Sequence, residues 1–92
     1  LPQLEFEAVL AHEFLHIWLE INSLDLDIIT AEGFCNLGSS LIYENDGTQF
    51  SHIHLRAMEN NADEAYGKSF IIFQKEIDEN GWETLIQKIK SL

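Results

Sequence analysis

Residues 4–21, LEFEAVLAHEFLHIWLEI, constrain the fold of this 92-residue chain more than any other segment. The segment contains no proline or glycine, and its apolar residues recur on most of the circumference of a helix. A helix that is apolar nearly all round is typical of a buried position in a domain core. We therefore predict a buried helix over residues 4–21 that ends at Asn22 and Ser23.

His12, Glu13 and His16 form an HExxH pattern inside this predicted helix. Residues four apart differ by about 40° around a helix and about 6 Å along it, so both imidazoles project from one face. Two nitrogens placed in this way can bind one zinc ion at about 2.0–2.1 Å. Glu13 lies about 100° around the helix from His12, where it reaches a water held by the metal rather than the metal itself. The pattern therefore predicts a zinc site with Glu13 as the general base.

The alternative interpretation of HExxH is a pair of partly buried histidines on a core helix, with Glu13 at its solvated edge. In a chain with this many histidines and glutamates the pattern arises by chance in roughly 2 of 100 shuffled sequences. Burying two imidazoles in one place without a partner is costly, and this favours the metal site.

The third ligand distinguishes the classes of HExxH peptidase. The metzincin pattern needs glycine at position 19 and histidine at position 22, where this chain has leucine and asparagine. Glu20 lies about 12 Å along the helix from His12 and cannot share its metal. Glu32 is predicted as the third ligand, because two antiparallel helices bring it within about one helical turn of His16.

Two further features bear on Glu32. Gly33 follows it and removes a side chain where backbones or the metal must approach closely. The alternative for Glu32 is an acidic residue in the first turn of a helix, where it complements the helix dipole.

The rest of the chain is predicted to be helical and to form one domain with residues 1–30. Thr30 is the predicted N-cap of a second helix, and Asn45-Asp46-Gly47 is a turn signal. Asn61 or Asp63 is expected to cap the fourth helix, and Gly81 to separate a short last one. We therefore predict a mainly α fold with four to five helices. The predicted later helices span residues 31–44, 48–60, the segment from the cap to about 78, and 82–90.

The composition limits the partners. Five Lys+Arg against sixteen Asp+Glu give a net charge of −11, which repels phosphate backbones and anionic membranes. We therefore expect a peptide or protein substrate, no nucleic acid and no membrane. The single Cys35 excludes an intrachain disulfide and a cysteine-rich zinc site, and it fits a cytoplasmic location. The chain starts at Leu1 rather than methionine, which is compatible with an excised C-terminal piece of a longer metallopeptidase.

Other residues have two interpretations each. Tyr66 is a candidate catalytic donor to a developing oxyanion, or a packed aromatic residue with its hydroxyl at the surface. Cys35 lies one turn from Glu32, near enough to approach zinc, or it is a small buried hydrophobic residue. His52 and His54 point about 160° apart on a helix and are expected at the surface or in tertiary contacts.

Three acidic residues are candidates for a supporting role at the metal site. Each is able to hold the outer ring nitrogen of His12 or His16, and solvated charge is the alternative for all three. They are Glu20, Asp25 and Asp27.

The segments LAHEFLHIWLEI and AEGFCNLGSSLIYE resemble the C-terminal peptidase domain of the DA-one family, plant LIM-domain proteins that act as ubiquitin-activated peptidases. A third segment, NADEAYGKSF, is more weakly similar to a Tyr-Gly-x-Gly-Phe-Arg stretch of that family. The resemblance covers most of the chain, with the three blocks in the same order. The positions that match in the first two blocks are Ala11, His12, Glu13, His16, Trp18, Leu19, Glu32, Gly33 and Cys35.

This resemblance implies a zinc peptidase similar to the gluzincins, in which two histidines and a glutamate hold the metal. The chain departs from the family at Ala31, where the family has an acid, and at Ser69-Phe70-Ile71, where it has Gly-Phe-Arg. Gluzincins also have a β-sheet before the HExxH helix, and its edge strand pairs with the substrate. Because only eleven residues precede His12, we expect a helical core that lacks most of this sheet.

The sequence as a whole predicts zinc-dependent peptide hydrolysis, with Zn²⁺ held by His12, His16 and Glu32. Two alternatives remain: a zinc-stabilised domain without catalysis that serves regulation or interaction, and a metal-free helical domain in which the motif is accidental. An open fourth metal position favours the enzyme, whereas a fourth protein ligand such as Cys35 favours a structural zinc.

Overall fold

The fold is built from helices. The computed structural model describes residues 3–60 and 64–92, with the backbone alone for residues 64–66, and this part of the chain contains no strand. The prediction of a mainly α fold is therefore confirmed. None of the helices in the same part of the chain is long and apolar enough to cross a membrane. The helices are α1 (Gln3–Ile21), α2 (Ile28–Asp46), α3 (Gln49–Glu59) and α4 (Glu64–Lys90).

α2 is the central helix, because it packs against α1, α3 and α4. Its Phe34 is fully buried and lies between an aromatic ring of α1 and one of α4. The ring centroids are 5.8 Å apart for Trp18 and Phe34, and 6.2 Å for Phe34 and Phe73, which meet edge to face. The core therefore surrounds α2. The buried residues of α2 are Gly33, Phe34, Cys35, Leu37, Gly38, Ser40 and Tyr43.

α1 is less buried than its composition predicts. Its buried residues are Ala8 and Leu19, and the prediction that the HExxH helix is buried all round is wrong for one side. The reason is that α2 covers one side of α1, and no other helix of the described ranges packs its backbone against the opposite side. We call the uncovered apolar residues the open face of α1. They are Phe6, Val9, Leu10, Phe14, Ile17 and Ile21, with exposures from 48% to 76%.

The start of α2 differs from the prediction by three residues. Asp27, not Thr30, is the N-cap, and the helix begins at Ile28. The Asp27 carboxylate accepts hydrogen bonds from the Thr30 backbone N–H and from the Thr30 hydroxyl, each at 2.9 Å. Aspartate is as good an N-cap as threonine, and here it satisfies a free N–H of the first turn. Thr30 is therefore a donor to the cap rather than the cap itself.

The corner between α2 and α3 follows the predicted turn signal. Gly47 ends α2 with a left-handed φ of 66°, and its N–H donates to the Tyr43 carbonyl oxygen at 3.2 Å. Thr48 is the N-cap of α3 and accepts from the Ser51 N–H at 3.1 Å. The hydroxyls of Thr48 and the buried Ser51 both donate to the Asp46 carboxylate. This carboxylate therefore joins the end of α2 to the start of α3.

Asp46 makes the stability of this corner depend on pH. The hydrogen bonds from Ser51 and then Thr48 lower the pKa of Asp46 below its ordinary 3.8. A group with a lowered pKa stabilises the fold above its unfolded pKa, and that contribution is lost as the pH falls through the folded value. We expect Asp46→Asn to lower the thermal midpoint near neutral pH, and the gap from wild type to close on acidification from about pH 5 to about pH 2.

Circular dichroism melts of both proteins across this range provide the measurement. Glu44→Gln, an exposed substitution on the same helix, is the control and should follow wild type. A gap between Asp46→Asn and wild type that stays constant to the lowest pH would contradict the role of the charged carboxylate.

α4 is broken at Gly81, as the sequence predicts. Gly81 has φ 84° and ψ 169°, which are not helical values and favour glycine. The helical segment from Trp82 onward packs its buried Leu85 and Ile89 into the core beside α2. The side-chain nitrogen of Lys90 lies 5.8 Å from the centroid of the Trp18 ring. The predicted cap residues of the fourth helix, Asn61 and Asp63, lie outside the described residues.

Candidate metal centre

α1 and α2 bring His12, His16 and Glu32 together. The Nε2 atom of His12 lies 3.1 Å from Oε2 of Glu32, and Nε2 of His16 lies 3.1 Å from Oε1 of the same carboxylate. The two imidazole centroids are 4.9 Å apart. All three side chains are partly buried, with exposures of 17%, 33% and 32%. The structure therefore places at one point the three residues that the sequence predicts as metal ligands.

Small residues set the register of α1 against α2. A Cβ atom on Gly38 would lie 2.6 Å from the carbonyl oxygen of Ala11, so the two backbones touch at this point. One residue along α2, the Ser39 hydroxyl donates to the carbonyl oxygen of Ala8 at 2.8 Å. Gly38 meets Ala11 and Ser39 meets Ala8, so residue numbers rise along α2 as they fall along α1. The two helices are therefore antiparallel, as predicted. This register directs the histidines of α1 toward the first turns of α2.

Gly33 serves a different contact. A Cβ atom on Gly33 would lie 2.4 Å from the Cβ of Ser69 and 2.9 Å from the backbone nitrogen of Phe70. A glycine beside Glu32 was predicted to make room either for a neighbouring backbone or for the metal. The structure shows the first of these, because the backbone of α4 approaches Gly33 closely. The two glycines give α2 a close contact on each side.

The donor set fits a divalent ion. One ligand atom from each of the three residues can be chosen so that all lie within 4.8 Å of one another, and no other such group of histidine, cysteine or acidic residues occurs among the described residues. Imidazole nitrogens and carboxylate oxygens are zinc ligands, and in a tetrahedral site the ligand atoms lie about 3.4 Å apart. The nitrogen–oxygen distances of 3.1 Å are close to this spacing. The three side chains are therefore close enough together to share one metal ion.

Asn36 contacts the outer nitrogen of one histidine. Nδ1 of His12 and Oδ1 of Asn36 are 2.9 Å apart, and the contact is partly buried. Of the acidic residues predicted for such a role, Asp27 caps α2, while Glu20 and Asp25 line an open depression together with His16. Sequence reasoning missed Asn36, although its spacing of four residues from Glu32 places both on one face of α2.

Glu13 lies on the exposed side of α1. Its carboxylate borders an open groove of about 620 Å³ that is lined mainly by apolar residues of the same helix, with Ile42 of α2 at its edge. About 60° of helix rotation separates Glu13 from His16. Glu13 is not a member of the group of possible metal ligands, and its role as general base stays a prediction.

Cys35 is a core residue. It is fully buried, and the structure gives it no place in the metal group. Burial, followed by the nearby charges of Glu32 and Glu13, raises the pKa of Cys35 to about 12. Of the two interpretations of Cys35, the structure favours the small buried hydrophobic residue.

The remaining candidates lie away from the metal group or outside the description. His52 is exposed, and His54 stacks on Tyr43 with a centroid distance of 4.9 Å and lies 3.4 Å from Glu5. These positions agree with the surface and tertiary-contact roles predicted for the two histidines. The side chain of Tyr66 lies outside the described residues, so its predicted catalytic role stays a prediction.

Comparison of the chain with models of protein families, with curated proteins and with solved structures finds no match. The functional interpretation therefore depends on the geometry of the site and on the sequence motifs.

Proposed function

We propose that this domain is a zinc-dependent peptidase in which His12, His16 and Glu32 bind the metal. The observation that supports the proposal most directly is the pair of 3.1 Å contacts between one carboxylate and both HExxH imidazoles. The same contacts would also satisfy both imidazoles in a metal-free domain, so the zinc measurement distinguishes the two. The absence of a fourth ligand in the group, among the described residues, agrees with a catalytic site that keeps one position open.

A Zn²⁺ ion held by His12, His16 and Glu32 would supply Lewis acidity, which would polarise the scissile carbonyl and lower the pKa of the attacking water. Glu13 is the general base: it accepts the proton of that water and delivers it to the nitrogen of the leaving amine. His12 and His16 would each bind the metal through a ring nitrogen lone pair. Glu32 is held between the two imidazoles and acts as a ligand rather than as a base.

The charge distribution supports a peptide or protein substrate with basic residues. All five Lys and Arg residues lie from Arg56 onward, whereas nine of the sixteen acidic residues lie in residues 1–55, which carry α1, α2 and the candidate site. An acidic surface attracts cationic segments and repels nucleic acid. We therefore expect basic peptides to be cleaved faster than acidic peptides of the same length, and the difference to shrink as salt is raised.

The test is hydrolysis of a set of peptides by zinc-loaded protein, followed by mass spectrometry. We expect cleavage that stops on addition of a zinc chelator and returns when zinc is restored. Cleavage that is unaffected by the chelator would contradict a zinc mechanism, because it would indicate a different catalyst.

The open face of α1 favours a second candidate, a zinc-stabilised domain that binds a partner without catalysis. Large apolar residues rarely form a continuous exposed patch unless the patch serves an interaction, and this face carries six of them. The distinguishing result is a protein whose thermal midpoint falls on zinc removal, as expected for metal bound only to the folded state, but which cleaves no peptide. A midpoint unaffected by chelator would instead favour the metal-free domain.

A further inference from the structure

We infer that Asn36 is the positioning residue of the metal centre, holding the His12 ring so that its Nε2 atom faces the ion. This inference rests on the proposed metal site and names a residue outside the predicted ligand set. The contact that carries it is the 2.9 Å distance between Nδ1 of His12 and Oδ1 of Asn36, which is partly buried and joins α1 to α2.

The chemistry of imidazole gives this contact a direction. A neutral imidazole has one N–H, and a ring that binds metal through Nε2 has its proton on Nδ1. That N–H needs an acceptor, and the amide oxygen of Asn36 is at hydrogen-bonding distance from it. The hydrogen bond fixes both the tautomer and the rotation of the ring, which are the two properties that decide whether Nε2 reaches the metal.

The position of Asn36 explains how α2 provides both a metal ligand and the hydrogen-bond acceptor for a histidine of α1. Glu32 and Asn36 are four residues apart, so they share a face and lie about 6 Å apart along the axis. His12 and His16 have the same spacing on α1, and the antiparallel register places Asn36 at His12 and Glu32 at both rings. Each turn of α1 that carries a histidine therefore packs against a turn of α2 whose side chain has an oxygen at hydrogen-bonding distance from the ring.

The amide of Asn36 differs from a carboxylate in charge. Asn36 accepts the hydrogen bond without adding a negative charge, whereas an aspartate would make the ring more electron-rich as well as orient it. Removing the acceptor should weaken metal binding, and replacing the amide by a carboxylate should preserve or strengthen it. A residue that serves only packing would not distinguish these two substitutions.

The experiment measures zinc affinity by competition with a chromophoric chelator for wild type, Asn36→Leu and Asn36→Asp. We expect Asn36→Leu, which has the same branching at Cγ and no acceptor, to weaken zinc binding about 10–100-fold. Asn36→Asp should bind at least as tightly as wild type. Asn45→Leu, an exposed substitution on the same helix, is the matched control and should leave zinc affinity unchanged.

A second readout reports the ring itself. In the zinc-loaded protein, nitrogen-15 spectra of wild type should show the His12 Nδ1–H as a slowly exchanging proton, and in Asn36→Leu that signal should be lost to exchange with water. Wild-type affinity in Asn36→Leu, or equal losses in Asn36→Leu and Asn36→Asp, would overturn the inference while leaving the zinc site standing. Failure of wild type to bind zinc would overturn both the inference and the proposed function.

Discussion

Replacing Glu13 by glutamine is expected to lower kcat for peptide hydrolysis by about 10²–10⁴-fold, the usual contribution of a general base. Glutamine has nearly the same size and polarity, but its amide cannot accept the proton of the attacking water. Because Glu13 is not a member of the group of possible metal ligands, the variant should bind zinc as wild type does.

The Glu13 measurement needs zinc content and kcat from the same preparation. Glu7→Gln is the matched control, because Glu7 is also an exposed glutamate of α1, and it should retain activity. Full turnover by a zinc-loaded Glu13→Gln protein would exclude the proposed mechanism. Loss of activity together with loss of zinc would instead place Glu13 among the metal ligands, which is not the arrangement described.

Replacing Gly38 by alanine is expected to destabilise the fold by about 1–3 kcal/mol, the usual cost of overpacking a closely packed contact, and also to weaken zinc binding. The new Cβ would lie 2.6 Å from the Ala11 carbonyl oxygen and 2.9 Å from its carbon. Both are backbone atoms, so α1 and α2 must move apart. His12 and His16 lie on α1 and Glu32 on α2, so this movement separates the imidazoles from the carboxylate.

Gly33→Ala is the matched variant for Gly38→Ala. It also places a methyl group against a neighbouring backbone, but the neighbour is α4 and not the helix that carries the histidines. We expect a similar loss in unfolding free energy, measured by urea denaturation, with a smaller change in zinc affinity. Equal losses of zinc affinity in the two variants would contradict the view that the α1–α2 contact at Gly38 sets the geometry of the site.

The metal group could be predicted from the sequence because it depends on short-range geometry. The spacing of His12 and His16 determines their common face from helix periodicity alone, and the length of the link to the next helix limits which acid can return to them. Asn36 was missed because an asparagine within a helix carries no signal of its own. Its role depends on the side-chain packing of α1 against α2, which spacing does not specify.

The burial of α1 was predicted incorrectly for an instructive reason. Apolar residues around a whole helix indicate that the helix favours contacts on all sides, but they do not say which elements provide them. In the described ranges α2 provides one side, and Phe14 and Ile17 on the other remain 64% and 53% exposed. The start of α2 shows a similar limit, because Asp27 and Thr30 are both good N-caps and only the backbone conformation decides between them.

The most direct test of the central claim is the zinc stoichiometry and affinity of the purified protein and of its ligand variants. The account predicts one zinc ion per chain, loss of that ion in His12→Ala and His16→Ala, and strongly weakened binding in Glu32→Gln. X-ray absorption of the zinc-loaded protein should show nitrogen and oxygen ligands at about 2.0–2.2 Å and no sulfur. Purified protein without zinc affinity, or zinc that stays bound after both histidines are replaced, would contradict the account.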